Sequence, residues 1–78
     1  MSRVLLLGPA REAAGVRSDE IDGETVAEVI AGAIRRYGTN FESIVAVSQL
    51  WVNGSPATPD QPVGPVDEVA VLPPISGG

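Results

Sequence analysis

One strongly amphipathic helix limits what this chain of 78 residues can fold into. Thr25 and Glu28 form a capping box, in which the Thr hydroxyl and the Glu carboxylate each accept a hydrogen bond from a free backbone amide. The helix is predicted to end at Gly38, after Arg35 and Arg36 have complemented its negative end. The apolar side chains that share one face are Val26, Val29, Ile30, Ala33, Ile34 and Tyr37. A single apolar face of this kind must be buried against another element, and the order of the remaining segments favours a sheet.

Four segments predict the strands of that sheet. Residues 3–7 and 68–72 are short apolar runs bounded by Gly-Pro and Pro-Pro, which is typical of buried strands. Residues 49–53 predict a strand that leads into an Asn-Gly turn, and residues 16–22 predict a weaker, more exposed strand. The order of elements favours an α+β fold, a mixed sheet packed on one main helix, in a single domain that spans residues 1–78.

Three other segments are less regular. Residues 10–15 favour a helix, but the segment is too short for more than one turn. Residues 41–47 are ambiguous and could form another short turn of helix. Four prolines between residues 56 and 65 exclude a helix there and predict an irregular path.

The first and last strands are apolar on both faces, whereas a single helix covers only one face. Residues 4–7 and 69–72 show no alternation of apolar and polar side chains. Either both strands are central and partly shielded by loops, or the second face carries an apolar patch that awaits a partner. Trp51 is a candidate for such a patch, although a lone tryptophan more often lies in a core.

The composition excludes several kinds of site and partner. The chain has no Cys, His or Lys, so the usual metal ligands, thiol nucleophile, imidazole base and Schiff-base amine are missing. We therefore expect no metal site. A net charge of −5 argues against nucleic acid and anionic membranes as partners. The longest early apolar run is far short of the roughly 20 residues of a transmembrane helix, so we expect a cytoplasmic protein.

The last residues predict a tail that can enter a narrow channel. Pro73 and Pro74 end the sheet, and a small uncharged run follows them as a flexible tail over about residues 74–78. Glycines lack a Cβ and let the backbone approach a channel wall closely. A carboxylate is a poor electrophile, but joining it to AMP gives a mixed anhydride that sulfur can attack to form a thiocarboxylate. The tail residues that we expect to be inserted are Pro73, Pro74, Ile75, Ser76 and Gly77, with the reactive carboxylate on Gly78.

The chain resembles the MoaD family, the small subunit of molybdopterin synthase, within the ubiquitin-like sulfur carriers that include ThiS. The resemblance rests on VLLLGPAREAAG at residues 4–15, TVAE from Thr25, WVNG from Trp51, DEVAVLPP from Asp67 and the closing SGG. The Pro-Pro and Gly-Gly pairs after DEVA favour the molybdopterin branch over ThiS.

The resemblance implies a β-grasp (ubiquitin-like) fold and a two-stage role. An E1-like, MoeB-type adenylyltransferase that uses ATP and Mg would adenylate Gly78, and sulfur would then replace AMP to give a thiocarboxylate (1-thioglycine). The carrier would next dock on the large, MoaE-type subunit in a heterotetramer and donate sulfur to cyclic pyranopterin monophosphate. This division implies that the chain binds no cofactor and is not an enzyme by itself, because the catalytic side chains come from its partners.

The resemblance also suggests residues that meet a partner. Leu7 and Leu72 match apolar positions on the partner-facing side of the sheet. Arg11 matches an arginine that could pair with an acidic group on a partner, although a solvated surface arginine fits equally well. The loop at residues 64–66 departs from the family, in which an acidic-glycine turn is commoner.

Three other functions remain open at this point. The tail could join target lysines as a ubiquitin-like modifier does, although a chain without lysine cannot form side-chain-linked polymers of itself. It could deliver sulfur to thiamine (thiazole) or cysteine synthesis. It could also be inert, on a domain that serves only as an interaction module.

Overall fold

A computed structural model of the chain describes residues 1–74, and residues 75–78 lie outside the described part. The helices and strands, in chain order, are β1 (Ser2–Leu6), α1 (Pro9–Ala14), β2 (Ser18–Ile21), α2 (Val26–Tyr37), α3 (Thr39–Val45), β3 (Gln49–Val52), β4 (Ser55–Pro56) and β5 (Glu68–Leu72).

The five strands form one mixed sheet in the order β2-β1-β5-β3-β4. The two central strands, β1 and β5, pair in parallel, with Val4 opposite Val69 and Leu6 opposite Val71. The other neighbouring pairs are antiparallel. The predicted α+β architecture and its four main strands are therefore confirmed, each strand to within two residues at either end.

Helix α2 begins and ends where the capping signals predict. The Thr25 hydroxyl accepts a hydrogen bond from the Glu28 amide at 3.2 Å, and the Glu28 carboxylate accepts one from the Glu24 amide at 3.0 Å. At the other end the Gly38 amide donates to the Ile34 carbonyl. These bonds satisfy backbone groups that the first and last helical turns leave without partners.

The core lies between the sheet and the helices. Alternate residues of β1 and β5 point toward α2, and their side chains are fully buried. Phe41 of α3 is the largest buried side chain, and its ring meets Tyr37 edge-on at 5.1 Å. Gly32 lets α2 approach β2 closely, since a Cβ there would lie 2.7 Å from the Ile21 Cγ2 atom. The core residues of the two central strands are Val4, Leu6, Val69 and Val71.

The two short helices are longer than the sequence patterns indicate. Helix α1 covers six residues, because Pro9 fits its first turn and Gly15 ends it at a φ of 80°. Helix α3 settles the ambiguity of residues 41–47 and brings Phe41 into the core. Both helices gain their stability from tertiary packing, since isolated helices of this length are not stable.

The β2 edge of the sheet is partly closed by side chains. The register places the main-chain groups of Glu20 on the outward side of β2. Its amide donates to Asp19 Oδ1 at 2.8 Å, and its carbonyl accepts from Arg36 Nη1 at 3.2 Å. The opposite edge strand, β4, has two residues, and one of them is Pro56, which has no amide hydrogen to donate. Each edge is therefore partly blocked to an incoming strand.

Asp19 also joins β2 to the end of α2. Its Oδ2 atom accepts hydrogen bonds from the Tyr37 hydroxyl at 2.6 Å and from Arg36 at 2.9 Å. The bond from Tyr37, and next the bond from Arg36, lower the pKa of Asp19. Burial, and then the bond to Asp19, raise the pKa of Tyr37 to about 12.

We expect the phenol of Tyr37 to titrate near this raised value in the folded protein. Tyr37 is the only tyrosine, so the absorbance of its phenolate can be followed without overlap from another tyrosine. Because its folded pKa lies above the unfolded value of about 10, the stability linked to Tyr37 is present below pH 10 and is lost as the pH rises toward the folded pKa. Asp19→Asn should lower the tyrosine pKa only partly, since burial remains. A midpoint near 10 in the folded wild type would contradict this assignment.

Candidate docking face and tail exit

The face of the sheet opposite the helices carries a row of apolar side chains. In the strand register, Leu5 of β1 lies opposite Ala70 of β5, Ala70 opposite Trp51 of β3, and Trp51 opposite Pro56 of β4. The first three are half-buried and Pro56 is exposed. No helix among residues 1–74 covers them, so they form an apolar surface that solvent reaches. We call this surface, together with Leu7 and Leu72, the outer face.

Leu7 and Leu72 extend the outer face toward the point where the tail leaves the sheet. Leu7 directly follows β1, Leu72 is the last residue of β5, and the two strands are parallel. The two side chains therefore meet at one end of the sheet, where they line an apolar cleft of about 120 Å³. Leu7 is 37 % exposed, a large fraction for a leucine. The cleft is completed by Gly8, Pro9 and Pro73.

Of the two explanations for the two-faced strands, the central position of both strands is confirmed and the apolar patch is present, while a partner for that patch stays a prediction. Strands β1 and β5 are central, and their outward side chains are partly shielded, yet the face remains open. The statistical expectation that a lone tryptophan lies in the core is wrong for Trp51. Its strand neighbour Val52 is buried toward α2, so Trp51 points to the outer face, where its Nε1 donates to Gln49 Oε1 at 3.3 Å.

A charged row borders the outer face on the side away from the tail. Arg3 lies opposite Glu20 on one neighbouring strand and opposite Glu68 on the other. The outer face is thus apolar in its middle and at the tail exit, and it is polar along the row that contains Arg3. An apolar centre with a polar rim is the usual composition of a protein–protein interface.

The other predicted site residues are found at the tail exit or beyond the described part. Arg11 is exposed on α1, two residues after Pro9 of the cleft, and forms no ion pair within residues 1–74. Pro73 is half-buried in the cleft, and Pro74 is exposed. Ile75, Ser76, Gly77 and Gly78 lie outside the described residues.

Sequence reasoning missed some members of the outer face. Leu5 and Ala70 were not singled out, although the alternation within each strand could have identified them once Leu6 and Val71 were assigned to the core. Pro9 and Pro56 gave no such signal, because their places depend on contacts between distant segments.

The loop that departs from the expected family pattern forms a well-bonded turn. Asp67 accepts a hydrogen bond from the Gly64 amide at 2.7 Å and one from the Asn53 side chain at 2.9 Å. The bond from Asn53, and then that from Gly64, lower the pKa of Asp67. In this chain the carboxylate of Asp67, three residues after Gly64, stabilises the turn.

Two negative findings apply to residues 1–74. No three acidic, histidine or cysteine side chains come close enough together to bind a metal ion. No helix in this part of the chain has the length and apolar character needed to cross a membrane.

The ThiS family profile matches residues 4–78 of this sequence. The chain belongs to the ThiS family. This confirms the resemblance to ubiquitin-like sulfur carriers that the sequence motifs indicated. No curated protein matches the chain closely enough to count as a relative.

Solved structures of three kinds share the fold. A Pyrococcus furiosus protein assigned as molybdopterin converting factor, subunit 1, is 27 % identical with a TM-score of 0.82, over 95 % of this chain and 97 % of that one. SAMP1 from Haloferax volcanii is 26 % identical with a TM-score of 0.83, over 99 % of this chain and 98 % of that one. The Amycolatopsis orientalis BexX/CysO complex contains a chain that is 22 % identical with a TM-score of 0.84, over 100 % of both. The β-grasp fold is thereby confirmed.

Neighbouring leucines on the two faces should differ sharply in their effect on stability. Leu6 is fully buried, so Leu6→Ala should lower the free energy of unfolding by about 2–5 kcal/mol. Leu7→Ala should cost less than about 1 kcal/mol, because Leu7 is exposed on the outer face. Chemical denaturation of both variants measures this difference. Equal losses would mean that Leu7 is retained for folding and not for an outside contact.

Proposed function

We propose that this chain is the sulfur carrier subunit of molybdopterin synthase. Gly78 is adenylated by an E1-like activating enzyme, converted to a thiocarboxylate, and donates its sulfur to cyclic pyranopterin monophosphate. The observation that carries the proposal is the apolar outer face, which continues into the cleft at the root of a Gly-Gly tail. Membership of the ThiS family and the likeness to a molybdopterin converting factor support it.

The chemistry needs nothing from this chain except its terminal carboxylate. A carboxylate oxygen attacks the α-phosphorus of ATP, and pyrophosphate leaves. Sulfur from the activating system then attacks the carbonyl carbon, and AMP leaves. A chain without Cys, His or Lys offers no thiol or imidazole of its own to these steps, so the activating enzyme and the large subunit supply the catalytic groups.

The outer face positions the tail in this proposal. Docking buries the row that contains Leu5 and Trp51, and the cleft formed by Leu7 and Leu72 then lies at the mouth of the partner's channel. Pro73 and Pro74 restrict the backbone where it leaves the sheet, so less conformational entropy is lost when the tail is inserted. Arg11, exposed beside this exit, pairs with an acidic group on the partner.

A second candidate function is ubiquitin-like modification of other proteins. It is favoured by the likeness to SAMP1, a name that stands for small archaeal modifier protein 1. In that case the carbonyl carbon of Gly78 is attacked by a lysine amine of a target protein, not by sulfur. Sulfur delivery to cysteine or thiamine synthesis uses the same tail with another acceptor.

The deciding measurement is the intact mass of the chain after incubation with ATP, a sulfur source and an activating enzyme. We expect a gain of about 16 Da, as sulfur replaces oxygen, and no gain after deletion of Gly78. Loss of this gain when the large subunit and the pterin precursor are added would assign the molybdopterin pathway. A chain that stays unchanged, with an enzyme active on another carrier, would contradict the proposal.

A substitution on the outer face should separate docking from folding. Leu7→Glu places a charge beside the cleft and should weaken binding to the large subunit by about tenfold or more. Val66→Glu is the matched control, since Val66 is 94 % exposed on the loop before β5, far from the cleft. Binding can be followed by the fluorescence of Trp51 as the large subunit is added, because Trp51 is the only tryptophan of the chain and lies on the outer face. Equal affinity of both variants would exclude the outer face as the docking site.

A further inference from the structure

The positive side chains of this protein are all arginine. The sequence has five arginines and no lysine among its 78 residues. The two residue types carry the same charge but differ as nucleophiles: a lysine amine, with a pKa of about 10.4, releases its proton far more readily than a guanidinium with a pKa above 12. A deprotonated amine attacks activated carboxyl groups, and a guanidinium does not.

Two of these arginines lie around the exit of the tail. The Arg17 carbonyl accepts a hydrogen bond from the Leu6 amide at 2.9 Å, which fixes Arg17 beside the end of β1. Arg11 follows Pro9, which lines the cleft together with Pro73. Both arginines are exposed, and neither forms an ion pair within residues 1–74. A lysine at either position would therefore hold a free amine near the root of the tail.

The length of the tail limits which amines its last residue can meet. Four residues follow Pro74, and a chain of that length spans at most about 14 Å. Met1 and Leu7 flank the two ends of β1, and the six residue steps between them span about 20 Å. The one described amine of the protein, the α-amino group of Met1, lies 3.7 Å from Asp22 at the start of β1. Because β1 and β5 are parallel, that amine is at the end of the sheet opposite the tail exit.

We propose that arginine, used in place of lysine at the tail exit, prevents the activated Gly78 from acylating its own chain. This inference rests on the proposed activation of Gly78. The fold then contributes in two ways: it keeps positive charge beside the tail without a nucleophile, and it holds the α-amine out of the tail's reach. The activated carboxyl group is thereby preserved for the acceptor that a partner brings.

The reaction that is prevented is an ordinary acyl transfer. A free amine attacks the carbonyl carbon of the Gly78 adenylate, a C–N bond forms, and the C–O bond to the phosphate breaks. AMP leaves with the electron pair, and the proton from the amine passes to water. The product is an internal amide that is lighter than the free acid by one molecule of water. A tethered amine competes well, because short flexible linkers give effective concentrations in the millimolar range.

The test introduces a lysine without changing the charge. Arg17→Lys is incubated with ATP, the activating enzyme and a sulfur source, and the intact mass is measured. Arg35→Lys is the matched control, because Arg35 lines a cleft with Met1 and Asp22 at the opposite end. We expect the Arg17 variant, but not the control, to form a species lighter than the free acid by about 18 Da, with a matching loss of thiocarboxylate. A covalent dimer without the lighter monomer would count against the inference, because attack on another copy does not depend on nearness to the tail.

The outcomes distinguish this inference from the function on which it rests. If the wild type gains sulfur and both variants gain it equally with no lighter species, self-acylation is not what the arginines prevent, and the inference is overturned while the function stands. If the wild type gains neither sulfur nor AMP, the proposed function itself fails. Arg11→Lys repeats the test at a second exposed position, should the Arg17 variant fold poorly.

Discussion

The parallel pairing of β1 with β5 is the constraint on which the other features of this molecule depend. It places the first and last strands side by side in the middle of the sheet, so that the chain leaves the fold from the end where β1 also stops. Leu7 and Leu72 meet only for this reason. An antiparallel pair would place the end of β5 beside Met1, and the cleft formed by Leu7 and Leu72 would not exist.

The sheet divides its apolar side chains between two tasks. Val4, Leu6 and their partners on β5 stabilise the fold by burial against the helices. The side chains between them, such as Leu5, remain half-buried on the outer face. Binding of another molecule to this face would bury more of their apolar surface. An apolar surface of this kind promotes association, and a net charge of −5 opposes it by keeping separate copies apart.

The sequence predicted those parts of the structure that depend on local signals. The ends of α2 followed from Thr25, Glu28 and Gly38, and the strands followed from short apolar runs with clear boundaries. The side on which Trp51 lies could not be predicted, because residues 50–52 are all apolar and their alternation is hidden. The closure of β2 by Asp19 depends on residues of α2 more than fifteen positions away, which no local pattern encodes.

At the site, family resemblance singled out Leu7 and Leu72 as partner-facing residues, and the structure shows that the strand order brings them to one cleft. The role proposed for residues 75–78 follows from what a terminal carboxylate can do and not from a described geometry. The contributions of Leu5, Ala70 and Pro56 required the register of four strands, and a register is a property of the whole sheet.

The closed edge at β2 has a consequence for how much of this protein can be present at once. Open strand edges let copies of a protein pair with one another, and this pairing becomes more frequent as the concentration rises. Here the main chain of Glu20 is already bonded to Asp19 and Arg36, and the other edge ends at Pro56. These bonds disfavour strand pairing between copies, so the protein can be concentrated with less risk of growth from strand to strand.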